Sequence, residues 1–458
     1  MKPEITLWID VTTLMHWQRP AVGIVRVEQQ LCLWLLQENP PGLGFCCYSK
    51  ARHQFYQLTH AEVRGHLTRI EQCSLQRAAD AVVQPSFKQQ LIRRIKAFLD
   101  YLPPVLSTRL MNLMQRLRPH ARRAWYRLAA LRAGRRQEAP PASILPIDAP
   151  ALTFAPGSVY VSLGLDWDHK DMADIYRKKQ AQGFRCLFMC YDIIPVLLPH
   201  LCVGDVSRLF AHYFADLAWT ADRILCISHS TRRDLLALLD QLGVPERSAE
   251  VIRLGGDILP AAQSPAASSA LAPHLAQPYV LFVSTIERRK NHEVLYRAWR
   301  RLAAEGIALP QLIFVGMPGW GVGDLFSDIA LDPLVAGRIT VLNHVGDEDL
   351  ALLYQHALFT VYPSLYEGWG LPVAESLAFG KYCLCANTAS LPEVGEDFVD
   401  YLDPWDLPAW VDKLRFLLTH PAWVEERNAR IARDYRPHPW RATAQEIYQH
   451  ARQLHAPD

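Results

Sequence analysis

The ten cysteines of this 458-residue chain form no C-x-x-C pair, so the sequence offers neither a zinc-site spacing nor a disulfide framework. Cys46 and Cys47 are adjacent, and Cys383 and Cys385 alternate with apolar residues as buried strand residues do. No apolar run reaches the ~18 residues of a transmembrane helix. The start, MKPEITLWIDV, reads as a strand and lacks the basic head and apolar core of a signal peptide. An overall excess of one charge is also missing: the formal net charge is +2, which gives no general affinity for nucleic acid. The loop after the first strand is not G-x-G-x-x-G, which disfavours a dinucleotide site there. Together these absences lead us to expect a reduced, cytoplasmic protein whose membrane contact can only be peripheral.

What is present is an ordinary globular composition, half hydrophobic and 21% charged, in a chain long enough for two or three domains. Short apolar runs alternate with helical patterns. ITLWIDV (5–11), SVYVSLG (158–164), RCLFMCYDIIP (185–195), RILCIS (223–228) and AEVIRL (249–254) are near-continuously apolar, as strands covered on both faces require. A segment rich in Pro, Ala and Ser (258–278) then reads as a linker. The alternation restarts with YVLFVST (279–285), QLIFVG (311–316), ITVLNHV (339–345), LFTVYPS (358–364) and YCLCAN (382–387). This is the βαβ signature twice over, and it predicts an α/β protein of two doubly wound, Rossmann-like domains. The expected division is a first domain over 1–258, a linker over 259–277, a second domain over 278–435, and a last helix in 436–458 returning to the first domain. Ligands of such sheets bind at the carboxyl ends of the strands, so two facing sheets share a cleft.

One segment departs from this rhythm. Between Pro85 and Arg136 the chain carries thirteen Lys or Arg and a single acid, Asp100, with Leu, Ile, Phe, Met and Trp interleaved. These read as basic amphipathic helices, a helical insertion over 85–140. The pattern fits docking on an anionic membrane surface at about 1 kcal/mol per well-placed basic residue. A solvated insertion or a subunit contact fits it too. RNA binding is disfavoured, because the rest of the chain is net acidic and no nucleic-acid motif appears.

The stretch YPSLYEGWGLPVAESLAFG (362–380) ends a strand and opens a helix. Gly368 and Gly370 are expected to let backbone approach a ligand. Pro372 suits a first helical turn. The free N–H groups of that turn, near Gly370 and Leu371, form a phosphate seat. Glu367 is expected in the turn before the helix and Glu375 in its first turn. Carboxylates accept hydrogen bonds from hydroxyls, and a sugar nucleotide has hydroxyls on both sides of its diphosphate. A Glu in a first turn is also simply a good helix starter. VSTIERRKNHEVL (283–295) places Arg288, Arg289 and Lys290 where a strand ends, in position to neutralise a departing diphosphate. Gly23 opens a helix after the first strand, across the expected cleft. DWD (166–168) can be read as a metal-binding D-x-D or, more simply, as a solvated turn.

Taken together, these segments resemble the retaining glycosyltransferases of family four, which have the GT-B fold. The 362–380 stretch is similar to that family's E-x7-E signature, and TIERRKNHEVL to its GTxEPRKN segment. LIFVGMPGW, HVGDEDLALLYQHA, SLPEV and YDIIPVLLPH resemble further stations, in the family's order. The resemblance is dense over 185–405, thinner over 5–30, and does not cover the basic insertion. It is closest in character to bacterial O-antigen and exopolysaccharide enzymes, often mannosyltransferases.

The resemblance implies that Glu367 contacts the donor sugar and Glu375 the ribose. Lys290, with Arg289, would stabilise the leaving diphosphate. Gly23, Gly368, Gly370, Leu371 and Ser284 would line the donor site, and Asp192 would sit by the acceptor or donor sugar. Ser284 stands where the family has glycine, Arg288 where it has proline, and Tyr191 where many members have histidine. A cation many members carry before the lysine is absent, so Arg289 is expected to substitute.

The implied reaction moves a hexose, guessed as mannose, from a nucleoside diphosphate sugar to a polyprenyl-linked or other glycan acceptor. No metal or other cofactor is expected if Lys290 and helix amides meet the charge. The expected setting is the inner face of the cytoplasmic membrane, with 85–136 on the anionic surface. Two rivals remain: a silent scaffold of this fold in a polysaccharide assembly complex, and a sugar-nucleotide epimerase.

Overall fold

A strand whose two faces are both covered needs apolar residues at every position rather than at every second one. The runs singled out in the sequence meet that demand. The computed structural model describes residues 6–18, 21, 23–79, 149–202, 206–244, 247–256, 271–319, 321–343 and 345–455. These all belong to one compact unit. The basic segment 85–136 and most of the 258–278 linker lie outside the described residues.

The first sheet contains β1 (Leu7–Asp10), β2 (Leu43–Ser49), β3 (Gln54–Leu58), β4 (Ala151–Leu152), β5 (Val159–Ser162), β6 (Arg185–Cys190), β7 (Arg223–Cys226) and β8 (Ser248–Val251). Their order is β4-β3-β2-β1-β5-β6-β7-β8. β3 runs antiparallel to β2 and β4, and the remaining pairs are parallel. Three of these strands, β2 to β4, lie outside the apolar runs singled out in the sequence. β3 carries two glutamines and buries only Phe55 and Leu58, as suits a strand near the edge. β2 is hidden in sequence because Gly44 interrupts its apolar run, although its first six residues are buried.

The second sheet contains β9 (Tyr279–Val283), β10 (Gln311–Val315), β11 (Ile339–Leu342), β12 (Thr360–Tyr362), β13 (Cys383–Ala386) and β14 (Asp400–Leu402). All are parallel in the order β11-β10-β9-β12-β13-β14. Numbered within the domain this is 3-2-1-4-5-6, the Rossmann order. The chain thus has the two doubly wound sheets of the GT-B fold. Leu271, at the end of the expected linker, is buried in the core of this second sheet with Tyr279 and Leu353. Leu271 therefore belongs to the second domain's packing.

In each sheet the strand order reverses beside the first strand, between β1 and β5 and between β9 and β12. Helices leave in opposite directions there and open a crevice at the carboxyl ends. The helix Trp440–His455 returns to the first domain. Arg185 donates to the Leu454 carbonyl (3.0 Å), the Thr443 hydroxyl to the Arg253 carbonyl (2.8 Å), and Trp34 meets the edge of Tyr448. No helix among the described residues is long and apolar enough to cross a membrane.

The crevice of the first sheet is filled by a buried ion cluster. Lys170 follows the short helix Asp166–His169, and its side chain is fully buried. Its ammonium lies 2.8 Å from Asp10, 2.9 Å from Asp166, and against the Ser162 hydroxyl. Asp10 ends β1 and Ser162 ends β5, so the cluster ties the two central strands together. Asp10 also accepts from Tyr160 (2.9 Å) and from the Thr12 amide (2.9 Å). Burial works against the Lys170 charge, but the two aspartates override it and hold the ammonium protonated. The D-x-D at 166–168 is thus a structural element: Asp166 is spent on Lys170.

Removing one member of such a cluster strands the others without compensation, at a cost of about 3–5 kcal/mol. We expect Lys170→Met to lose stability of that order in urea unfolding, and a loss below about 1 kcal/mol would contradict the assignment.

Candidate active site

At the carboxyl edge of the second sheet the chain leaves β9 through a single 3-10 turn, Arg288–Lys290, and leaves β12 through Pro363–Gly370. Asn291 takes a left-handed conformation (φ 58°) to start the helix His292–Ala304. Its side chain donates to the Pro363 carbonyl (3.2 Å) and the Pro404 carbonyl (2.9 Å). This asparagine fastens the basic turn to the loop after β12.

The fastening brings together residues 77 positions apart. Glu367 is buried, and its Oε1 lies 2.5 Å from Lys290 Nζ and 2.6 Å from the Ser364 hydroxyl. Its Oε2 lies 2.9 Å from Arg289 Nη1. Tyr362 donates to Oε1 at 3.2 Å and accepts from Lys290 at 3.1 Å. Burial alone would raise the carboxyl, but Arg289 first and Lys290 second overcome it and hold it down to about 2. Burial, with Arg289 adding to it, pulls the Lys290 ammonium below the ordinary lysine value.

Arg289, expected to help stabilise the leaving diphosphate, is already paired in this structure. Its guanidinium is shared between Glu287 (2.9 Å), Glu367 and the Tyr366 carbonyl (2.7 Å), so it positions Glu367. Ser284 is not brought to the cluster. It is buried, with its hydroxyl 3.4 Å from the His292 ring. Arg288 reaches away to the Gly321 carbonyl.

Glu375 lies at the fifth position of the helix Leu371–Ala378, past the first turn where it was expected. Pro372 occupies the first turn, and the helix start at Gly370 has no side-chain cap. Pro372 has no N–H and the Val373 and Ala374 amides donate to the Gly370 carbonyl, which leaves the amides of Gly370 and Leu371 to meet an anion. Glu375 is buried and accepts from Tyr354 (2.9 Å). Burial raises its carboxyl, opposed chiefly by Arg26 of the first domain, 3.5 Å away.

Both glycines stand in crowded surroundings. A Cβ on Gly368 would lie 2.1 Å from the Tyr191 carbonyl oxygen, so this glycine admits the first domain's backbone. Gly370 has φ 124°, and a Cβ there would lie 2.7 Å from Leu391. The Tyr191 backbone at Gly368, and the positive φ with the Leu391 side chain at Gly370, leave no room for a Cβ.

From the first domain, Asp192 follows β6 and packs against Gly368, beside Glu367. Its carboxyl accepts from the Ile194 amide (3.0 Å). It is raised by burial, against the pull of Arg289. Tyr191 turns away, and its hydroxyl donates to the Leu163 carbonyl (2.5 Å) inside the first domain. Gly23 caps the helix Ile24–Glu38 at φ 52°, with no side-chain cap and no acid in the first turn. The same turn contributes Ile24 and Val25 to a cavity of about 510 Å³, which His16, Trp17, Asp168 and His169 also line. The His16 and His169 rings stack at 4.4 Å. A separate cavity of about 790 Å³, lined by Pro278, Gln311, Phe359 and Lys381, lies at the amino ends of the second sheet, away from this cluster.

Sequence reading did not find the residues that join the domains here. Glu393, in SLPEV, accepts from the amides of His229 (2.7 Å) and Ser230 (2.8 Å), capping a first-domain helix from across the cleft. Tyr366 donates to Asp234 (2.6 Å), and the Thr231 hydroxyl sits between the Tyr191 and Gly368 carbonyls. Nothing in local sequence signals such partners.

A buried carboxylate held by two cations thus stands where the strand order of a Rossmann-like sheet reverses, the place where α/β proteins of this architecture seat their ligands. Residues 266–436 match the family described as "Glycosyl transferases group 1", and the matched span includes Arg289, Lys290, Tyr362 and Glu367.

Among curated proteins the chain is similar to "O-antigen chain mannosyltransferase B" of Escherichia coli, 38% identical over 154 residues, 34% of this chain and 40% of that one. It is also similar to "Serotype-specific mannosyltransferase WbdA" of Escherichia coli, 30% identical over 207 residues, 43% of this chain and 25% of that one. The chain thus spans well under half the length of these relatives. Among solved structures, "Sucrose-phosphate synthase (tll1590) from Thermosynechococcus elongatus" aligns with a TM-score of 0.49 at 21% identity, covering 65% of this chain and 73% of that one.

Because its carboxyl is depressed, Glu367 contributes stability that is full above its ordinary value near 4.5 and is lost as pH falls to about 2. We expect the unfolding free-energy gap between wild type and Glu367→Gln to be constant above about pH 5 and to shrink below it. A gap that does not change between pH 6 and pH 3 would show that Glu367 is not held ionised by this pairing.

Proposed function

We propose that this chain is a retaining glycosyltransferase. It moves a hexose, mannose by the names of the curated relatives, from a nucleoside diphosphate sugar to a hydroxyl of a growing, lipid-linked bacterial surface polysaccharide. The observation that carries this reading is the Glu367 carboxylate, kept anionic by Arg289 and Lys290 within the span matched to the group 1 family, next to the uncapped helix Leu371–Ala378.

In this reading each residue has one task. The transition state of sugar transfer is oxocarbenium-like, and a fixed anion beside the sugar ring stabilises its positive charge. Glu367 supplies that anion, and Arg289 and Ser364 fix its direction. Lys290 and the Gly370 and Leu371 amides take the negative charge that grows on the departing diphosphate. Glu375 accepts the ribose hydroxyls. Asp192 and the cavity between Trp17 and His169 receive the acceptor, an apolar wall with a few polar groups as sugar binding requires. We assign no metal, because lysine and backbone amides supply the charge that a divalent ion would. The basic segment 85–136 holds the protein against the anionic, cytoplasmic face of the membrane, where a lipid-linked acceptor resides.

Product analysis by mass spectrometry, with GDP-, UDP-, dTDP- and ADP-hexoses and a lipid-linked glycan, tests this directly. Glu367→Ala should lower turnover roughly 100-fold while donor affinity stays within a few-fold. Glu375→Ala should weaken nucleotide binding about tenfold. Full transfer activity in either variant contradicts the assignment, and the absence of transfer with every donor favours a silent scaffold.

A further inference from the structure

The donor site as described has too few available cations. Arg289 is committed to Glu287 and Glu367, and the Lys290 ammonium already serves Glu367 and Tyr362. A nucleoside diphosphate sugar brings about two negative charges in its diphosphate, which a lysine held by a carboxylate meets only in part.

Arg26 stands across the cleft from this cluster. It lies in the first turn of the helix Ile24–Glu38, and its guanidinium contacts Glu375 at 3.5 Å and Asp347 at 3.3 Å. Both contacts are longer than the 2.7–2.9 Å of a strong charge-assisted hydrogen bond. Asp347 is also about half exposed, so solvent weakens that pair further. The Arg26 side chain is itself only 13% exposed and bends back to donate Nε to the Ala21 carbonyl at 3.3 Å. A largely buried guanidinium with long, imperfect partners is held near a place rather than locked in it.

We propose that Arg26 is a donor-binding residue that gives up Glu375 when the ribose arrives and turns to the diphosphate. The proposal rests on the functional reading above. Glu375 cannot accept ribose hydroxyls and keep the Arg26 pair at full strength, so donor binding itself frees the guanidinium. The diphosphate is attached to the ribose through its 5′ oxygen and so comes within reach of a side chain that touched the ribose partner. The start of the Arg26 helix, without a side-chain cap or first-turn acid, adds partial positive charge on the same side. The first domain thereby recognises the donor with a charge, and the cleft closes on the nucleotide from both sheets.

A merely structural latch predicts something different, and the comparison of nucleoside with nucleoside diphosphate separates the two. Binding is measured calorimetrically for whichever of GDP, UDP, dTDP and ADP the wild-type protein takes, and for the matching nucleoside. Arg26→Gln should weaken the diphosphate about 10- to 100-fold and leave the nucleoside unchanged or tighter. Arg26→Lys should recover part of the diphosphate affinity, and Asp347→Asn should keep or raise it, since it only releases Arg26. Equal tightening of both ligands in Arg26→Gln would show that Arg26 merely competes for Glu375, and equal weakening would show a folding role. Either result overturns the proposal while leaving the donor-site reading intact. A wild-type protein that binds none of the four overturns both.

Discussion

A carboxylate removed from water stays ionised only if cations are removed with it, and the second domain is built around that constraint. Glu367 is buried at the end of β12, and Arg289 and Lys290 reach it from the end of β9. The two strands are neighbours because the sheet order reverses between them. The basic turn is fastened to the β12 loop by Asn291, and Glu287 shares Arg289 so that the guanidinium points to Glu367 rather than to solvent. The result is a fixed negative charge in a low-dielectric crevice, where it acts more strongly than it would in water. The first domain repeats the device with signs exchanged. There one buried lysine is held by two aspartates at the reversal between β1 and β5, and it serves to lock strands rather than to meet a substrate.

Much of the fold was legible because buried parallel strands have a sequence signature of their own. All the parallel strands of the second sheet except β14 stand out as apolar runs, and the helix opened by Gly23 was placed correctly. The strands that escaped had other chemistry: β2 is interrupted by Gly44, and β3 is built on glutamine. The site was legible as a set of residues but not as a set of contacts. Glu367 and Lys290 could be singled out by type and position, yet nothing local shows that Arg289 turns inward or that Ser284 turns toward His292. Gly368 could be read as a place of close backbone approach, but nothing local shows that the Tyr191 backbone of the other domain is one of its neighbours. Lys170 has a faint signal, an i, i+4 pair with Asp166, that gains meaning only once Asp10 is known to lie beside it.

The contacts that join the domains explain why sequence reading stops there. Glu393 caps a helix 164 positions away, and Arg26 meets Glu375 across 349. Such pairs have no periodicity and no shared motif. They are also the contacts most exposed to change when a ligand enters, because each lies beside the cluster around Glu367. Hydrogen bonds and a long ion pair are among the contacts that join the two domains.

The central claim is that the crevice between β9 and β12 seats a nucleoside diphosphate. A crystal structure with the bound diphosphate tests it most directly. The account predicts phosphate oxygens within hydrogen-bond distance of Lys290 Nζ and of the Gly370 and Leu371 amides, with the ribose on Glu375. A nucleotide seated instead in the cavity at the amino ends of the second sheet, with the Glu367 cluster untouched, would contradict it.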